Sequence, residues 1–200
     1  MVKIGSTWKG RNYNKLQRAK EEAIKLGLNQ PTILEVGPGG LVNFLFAYFP
    51  TGKRKDWTSK DTLKWKILRI VEGILRKTDL FDLESSESEE VVYTFKDLQP
   101  KRIYVVDCEP KIIEAAGRVI ARNGFSKSFE YGLIDVASQK LPYNADIVIA
   151  YRVAQRTSNP SKALETIANS VNIGGLLSLD RDVELTGFHR IDRGLYVRRD

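Results

Sequence analysis

Residues 33–40, ILEVGPGG, carry an apolar strand straight into a glycine-rich turn, with one carboxylate, Glu35, two places before the first glycine. Residues 32–36 are continuously apolar apart from Glu35, the pattern of a strand buried on both faces of a parallel sheet. Two readings compete for the turn. It is either the flexible end of a buried strand, or a loop whose glycines let the backbone approach a nucleotide closely. The segments around it bear on the choice.

Before it, residues 12–26 read as a polar, basic helix with a thin apolar stripe at Leu16, Ala19, Ala23 and Ile24. After it, LVNFLFAYF (41–49) suits a short buried helix. RIYVVD (102–107) is a second strand, and a helix opens at Pro110, where a missing N–H costs nothing. Ile113, Ala116 and Ile120 recur on one face of that helix, and Gly124 fits its end. YGLID ends a third strand at Asp135, and ADIVIAY (145–151) makes a fourth. Asn159-Pro160 supplies the cap and first turn of a helix with Ala163, Leu164, Ile167, Ala168 and Val171 inward. Gly174-Gly175 turns the chain into a fifth strand, LLSLD (176–180), and GFHRID with LYVRR forms an antiparallel hairpin around Arg193-Gly194. Strands alternating with helices point to an α/β fold: a doubly wound, mostly parallel, seven-stranded sheet with a C-terminal antiparallel hairpin and helices on both faces.

One stretch breaks the alternation. Some 50 residues separate the helix at 41–49 from RIYVVD, far more than an ordinary connection. Leu63, Ile67, Ile70, Val71, Ile74 and Leu75 mark an amphipathic helix, with Lys64, Lys66, Arg69 and Arg76 on its other face. The serine–glutamate run 84–90 offers nothing to bury and reads as mobile, and VVYTF (91–95) reads as an extra edge strand. We therefore expect one domain over 1–200, with a basic helical arm at 1–30 and a helical, acidic insertion at 50–99 whose amphipathic helix offers a face for oligomer formation.

Composition narrows the function classes. With 200 residues and 42% hydrophobic content the chain can bury one substantial core. No segment reaches the roughly 20 uncharged apolar residues of a membrane span, and residues 1–10 lack the apolar stretch of a secretory signal, so a cytoplasmic protein is expected. A single cysteine, Cys108, allows no internal disulfide or thiolate-rich metal cage. A single histidine, His189, in the hairpin, allows no histidine-paired metal site or catalytic triad, and it reads as structural. No metal is expected. The net charge of +7 suggests an acidic partner, RNA or an acidic small molecule, reached through the basic faces. Trp8, Lys9, Arg11 and Tyr13 could serve as a lid or a stacking arm.

In an open α/β sheet, ligands sit beyond the carboxyl ends of the strands. Those positions hold Gly37 to Gly40, then Asp107, Cys108 and Glu109, then Asp135 and Val136, then Tyr151 and Arg152. Glycines admit close approach, a carboxylate ending the second strand suits ribose hydroxyls, and one ending the third suits an exocyclic amine. A dinucleotide fingerprint needs a third glycine where Val42 stands, and Glu35 would repel a pyrophosphate. A ligand bearing an ammonium or sulfonium charge fits Glu35 better, which favours S-adenosylmethionine over NAD.

At these residues the chain resembles the class I S-adenosylmethionine-dependent methyltransferases. ILEVGPGG is similar to the family's first motif, and VVDCEPKIIEAA (105–116) to its second. Residues 133–180 resemble the stretch from the third motif through the fifth strand, and GFHRIDRGLYVRR (187–199) the closing strand pair. The resemblance spans roughly residues 30–50 and 100–200. It implies a Rossmann-like domain in which Gly37 and Gly39, with Pro38 between them, approach the methionine part of S-adenosyl-L-methionine. It further implies that Asp107 holds the ribose, that Asp135 and Val136 contact adenine, and that Glu35 orients the glycine loop and the ligand's amino group. Cys108 and Tyr151 complete the cofactor lining, with Cys108 acting through packing. Arg152, Gln155 and Arg156 lie where an acceptor would approach.

The chain also departs from the family pattern. Leu41 stands where the loop often has its third glycine, Asp107 follows Gly37 by 70 positions, and residues 181–186 are too few for a full helix before the hairpin. AYRVAQRT (150–157) does not resemble the turn of base amino-methylases, and Cys108 is misplaced for a pyrimidine-attacking nucleophile. The expected function is S-adenosylmethionine-dependent methyl transfer to a small acidic molecule, RNA or protein. The alternative is a non-catalytic methyltransferase-fold subunit that binds cofactor or partner as a scaffold.

Overall fold

The computed structural model describes residues 13–38, 86–122, 124–154 and 157–200. The expected helices at 41–49 and 63–75, the arm residues Trp8, Lys9 and Arg11, and Gly39, Gly40, Gln155 and Arg156 lie outside the described residues.

Helix α1 (Tyr13–Lys25) leads into strand β1 (Thr32–Val36), and α2 (Ser86–Phe95) and a 3-10 turn (Lys96–Leu98) lead into β2 (Arg102–Asp107). There follow α3 (Pro110–Arg122), β3 (Phe129–Leu133), β4 (Ala145–Ala150), α4 (Pro160–Asn169), β5 (Val171–Leu179), β6 (Phe188–Asp192) and β7 (Leu195–Arg198). The strands form one seven-stranded sheet in the order β3-β2-β1-β4-β5-β7-β6. The pairings of β1 with β2 and β4, of β2 with β3, and of β4 with β5 are parallel. β7 pairs antiparallel with both β5 and β6.

Alternation along the strands divides the core into two layers. Ile33, Ile147, Ile149 and Leu176 meet Leu16, Ala19 and Ala23 of α1 and Val91 and Phe95 of α2. Leu34, Val148, Ala150 and Leu177 face the opposite way and meet Ala163, Ile167 and Ala168 of α4. A third cluster seats Ile113, Ala116 and Ile120 of α3 on Ile103 and Val105, joined by Val92 of α2. The Asn159 side chain accepts from the Lys162 amide at 3.1 Å and caps α4 ahead of Pro160. Residues 180–187 contain no helix. They are tied to the hairpin by the Val183 amide donating to Tyr196 Oη (2.7 Å) and the Gly194 amide donating to Asp182 Oδ1 (2.8 Å). Gly194 is obligatory at this crossing, since its φ is +69° and a Cβ would lie 2.3 Å from the Leu179 carbonyl oxygen.

Five expectations need correction. Residues 91–95 are helical and not an edge strand, and the serine–glutamate run is not without burial, because Ser88 is fully buried in the same helix. The apolar positions Val91, Val92 and Phe95 are spaced for a helix, and the polar letters around them mask that spacing. β5 begins at Val171, so Gly174-Gly175 lies inside the strand at a shift in its register with β4 and does not precede it. Ile24 is 57% exposed, being the one residue of its expected stripe that turns off the buried face. Finally, β3 stops at Leu133, which leaves Asp135 in the loop beyond the strand.

Helix α2 also supplies a stability test with opposite signs on neighbouring residues. Phe95 is completely buried, while the Thr94 hydroxyl is the one buried side-chain polar atom without a hydrogen-bond partner among the described residues. In urea denaturation, Phe95→Ala should lose about 3–5 kcal/mol. Thr94→Val, which removes an unsatisfied hydroxyl at constant shape, should be neutral or stabilising by up to about 1 kcal/mol.

Candidate functional site

The sheet changes direction at β1, whose neighbours β2 and β4 lead to opposite sides of the fold, and such a point opens a crevice beyond the carboxyl ends. The loops that leave those ends are stitched together through the backbone. The Gly37 amide donates to the Val106 carbonyl at 2.8 Å, and the Ile134 amide donates to the Asp107 carbonyl at 2.9 Å. Gly37 has φ +61°, and a Cβ there would stand 2.7 Å from Cγ2 of Val153, in the turn after β4. Arg152 holds φ +64°, a strained conformation for a residue with a side chain. The ends of β1, β2, β3 and β4 therefore meet at Gly37, Asp107, residues 134–137 and residues 152–153.

The two strand-end carboxylates each organise the turn that follows. Asp107 Oδ1 accepts from the Glu109 amide at 2.9 Å, which shapes the entry to α3. Asp135 Oδ1 accepts from the Ala137 amide at 2.9 Å and its Oδ2 accepts from Ser138 Oγ at 3.0 Å, while its own amide donates to Gln139 Oε1 at 2.9 Å. A carboxylate oxygen can accept more than one hydrogen bond, so capping and ligand binding do not compete outright. Val136 is buried beside Asp135, so a planar ligand group there would meet the loop backbone and an apolar floor.

Cys108, expected to pack at the edge of the cofactor pocket, lies on the exposed surface between these groups. Its thiol is nevertheless pushed above the usual range, first by partial burial of the sulfur and then by the Asp107 charge, with Asp135 adding to it. Both carboxylates thus act on one sulfur, and that sulfur is a poor nucleophile.

Glu35 faces the α1–α2 layer and is only 2% exposed. Ser88 Oγ donates to Glu35 Oε2 at 2.5 Å. Glu35, Gly37, Glu90, Val91 and Tyr151 line one recess beneath the glycine turn. Tyr151 is buried in the same layer, with its hydroxyl 2.8 Å from Ser178 Oγ and its ring 5.7 Å from Lys15 Nζ. Lys15 also donates to the Asp180 carbonyl at 2.7 Å, so α1 joins the ends of β4 and β5. Sequence reasoning missed Ser88 and Glu90. The available signal was the place of Ser88 three residues before Val91 and seven before Phe95, on the one buried stripe of α2.

Of the site residues expected from sequence, Gly37, Asp107, Cys108, Asp135, Val136 and Arg152 stand at the strand ends, with Pro38 directly after Gly37. Glu35 and Tyr151 extend below them into the layer under α1 and α2. Gly39, Gln155 and Arg156 are outside the described residues. Among the described residues no group of three or more His, Cys, Asp or Glu side chains could hold a metal ion, and no helix is long and apolar enough to cross a membrane.

No protein-family model and no curated protein matches the chain. Solved structures do. A S-adenosylmethionine-dependent methyltransferase from Clostridium acetobutylicum ATCC 824 is similar at 10% identity and a TM-score of 0.50, over 84% of this chain and 49% of that one. A structure described as StiE O-MT, residues 942–1257, is similar at 13% identity and a TM-score of 0.50, over 84% of this chain and 42% of that one. The chain spans under half the length of either. With the strand order and closing hairpin, these likenesses identify the fold as that of the class I S-adenosylmethionine-dependent methyltransferases.

The placement of Cys108 predicts its reactivity. Alkylation by iodoacetamide should be slow at pH 7 for an exposed cysteine and should accelerate only above the pH range of an ordinary thiol. Asp107→Asn should shift that profile partway back, since it removes one charge and leaves the burial in place. A rate profile centred at the ordinary thiol range in the wild-type protein would contradict this arrangement.

Proposed function

We propose that this chain is a methyltransferase that uses S-adenosyl-L-methionine. The observation that carries the reading is the meeting of Gly37, Asp107 and the Asp135–Val136 turn at the carboxyl ends of adjacent parallel strands, with the Glu35 carboxylate beneath the glycine. The residues fit the group in one direct respect. Gly37 has φ +61° and the space of a Cβ there is taken by Val153, so glycine is required for the tight turn that sets the end of β1 against the turn after β4 at the strand-end crevice. Bound there, S-adenosylmethionine supplies a methyl group already activated on a sulfonium sulfur. In this reading Asp107 accepts from the ribose hydroxyls, the backbone at Asp135 and Val136 receives adenine, and Glu35 favours the positive amino-acid end.

The chain's part in the chemistry is to orient the acceptor and exclude water. A general base is required only for an acceptor that carries its proton at neutral pH. Arg152, strained at the end of β4, stands where an anionic acceptor would be held. The acceptor is a small acidic molecule, RNA or protein. The basic side chains of α1 argue against a broad nucleic-acid face, because many of them are engaged within the chain. Lys15 bonds Asp180, Arg18 pairs with Asp192, Lys20 with Asp97 (2.8 Å) and Lys25 with Glu22 (2.5 Å).

A second reading, a non-catalytic methyltransferase-fold subunit, is favoured by residues 180–187, which run without a helix and are tied down against the hairpin. Transfer of labelled methyl groups into fractionated cell extract separates the two readings and reports the acceptor class.

Calorimetry should show S-adenosylhomocysteine binding in the micromolar range, weakened at least tenfold (about 1.4 kcal/mol) by Asp107→Ala. Absence of binding to the folded protein would remove the enzyme reading. Binding of single-stranded RNA should be weak at low salt. A tight complex whose affinity falls steeply with added salt would instead establish a phosphate-contacting face.

A further inference from the structure

Glu35 occupies a position that the fold makes apolar. It follows Ile33 on the face of β1 that meets α1 and α2, and Ile33 is completely buried there against Leu16, Val91 and Phe95. A carboxylate brought into such a layer is costly unless a donor is built in for it. Helix α2 provides that donor. Ser88, fully buried, lies on the same helical stripe as Val91 and Phe95, and its hydroxyl meets Glu35 Oε2 at 2.5 Å. The hydrogen bond crosses from the long connection, which resembles no methyltransferase motif, to the strand that carries the glycine turn. Two residues after Glu35, Gly37 lines the same recess and hydrogen-bonds to Val106.

We infer that Ser88 is a positioning residue for the cofactor site: its hydroxyl fixes the Glu35 carboxylate beneath the glycine turn, where that carboxylate favours the ammonium at the amino-acid end of the ligand. The inference rests on the S-adenosylmethionine reading and extends it to a residue outside the motifs. Ser88 acts through Glu35, so its effect is confined to the end of the ligand that Glu35 serves. The adenosine end is held elsewhere, by Asp107 and the Asp135 turn.

The test compares two probes, S-adenosylhomocysteine and adenosine, which lacks the amino-acid end. Ser88→Ala should weaken S-adenosylhomocysteine about tenfold and leave adenosine affinity unchanged. In a Glu35→Gln background the same substitution should cause much less further loss, because the two residues act as one unit. Should Ser88→Ala not fold, Ser88→Cys keeps nearly the same volume with a weaker donor and should show the same selective loss. Ser88→Thr, which retains a hydroxyl, should restore S-adenosylhomocysteine binding. Equal weakening of both probes, or no change in either, would overturn the positioning role while leaving the cofactor reading intact. A wild-type protein that binds neither probe would overturn both.

Discussion

Parallel pairing of β1 with both β2 and β4 is the constraint on which the other features depend. Ile33 lies opposite Ile103 on one side and Ile147 on the other, so the three central strands leave the sheet in one direction and at one level. Backbone hydrogen bonds carry that alignment past the strands, from the Gly37 amide to the Val106 carbonyl and from the Ile134 amide to the Asp107 carbonyl. A one-residue slip of β1 would exchange its two faces. Glu35 would then leave the layer under α2 for the opposite one, and Ser88 would face a hydrocarbon side chain. Sheet register and site geometry are one property here.

The strand-end acids show why a site of this kind can be ready before any ligand arrives. Asp107 and Asp135 each accept a backbone amide two residues ahead, so each side chain is held by the turn it creates. A side chain already fixed loses little conformational freedom when it takes up a second partner. Partial burial of the sulfur, and after it the same acids, raise the pKa of the Cys108 thiol, which leaves an exposed cysteine between two carboxylates comparatively inert. Capping and ligand readiness come from two residues at or just beyond the ends of their strands, and the same residues add to the suppression of thiol reactivity that burial begins.

Strands β1, β2 and β4 were legible because burial on both faces leaves unbroken apolar runs, and α4 because Asn159-Pro160 and its apolar spacing agree. The strand-end glycines and acids were legible as types at fixed places in an order of elements. Helix α2 was not, since its buried stripe contains a serine, and a serine among glutamates looks like solvent-facing chain until Glu35 is known to lie opposite. Nor was the strain at Arg152, because nothing in local composition requires a left-handed conformation at a residue with a long side chain. The start of β5 was hidden by Gly174-Gly175, which looks like a turn but is accommodated as a register shift inside the strand.

Stability alone does not account for Glu35 and Ser88. Both side chains are buried, their layer is built largely from Ile33, Leu16, Val91 and Phe95 with Glu90 and Tyr151 at the recess, and an apolar pair of matching volume would remove the cost of dehydrating a carboxylate. Polar groups retained against such a gradient mark places where a fold gives up stability for another requirement. Here the departure lies directly beneath the glycine turn and nowhere else in that layer of β1. The hydroxyl also comes from α2, a helix belonging to the unusual connection, and not from an element of the common core. The long connection is therefore tied to the site by the same contact that makes the buried carboxylate tolerable, and neither Glu35 nor α2 can be understood without the other.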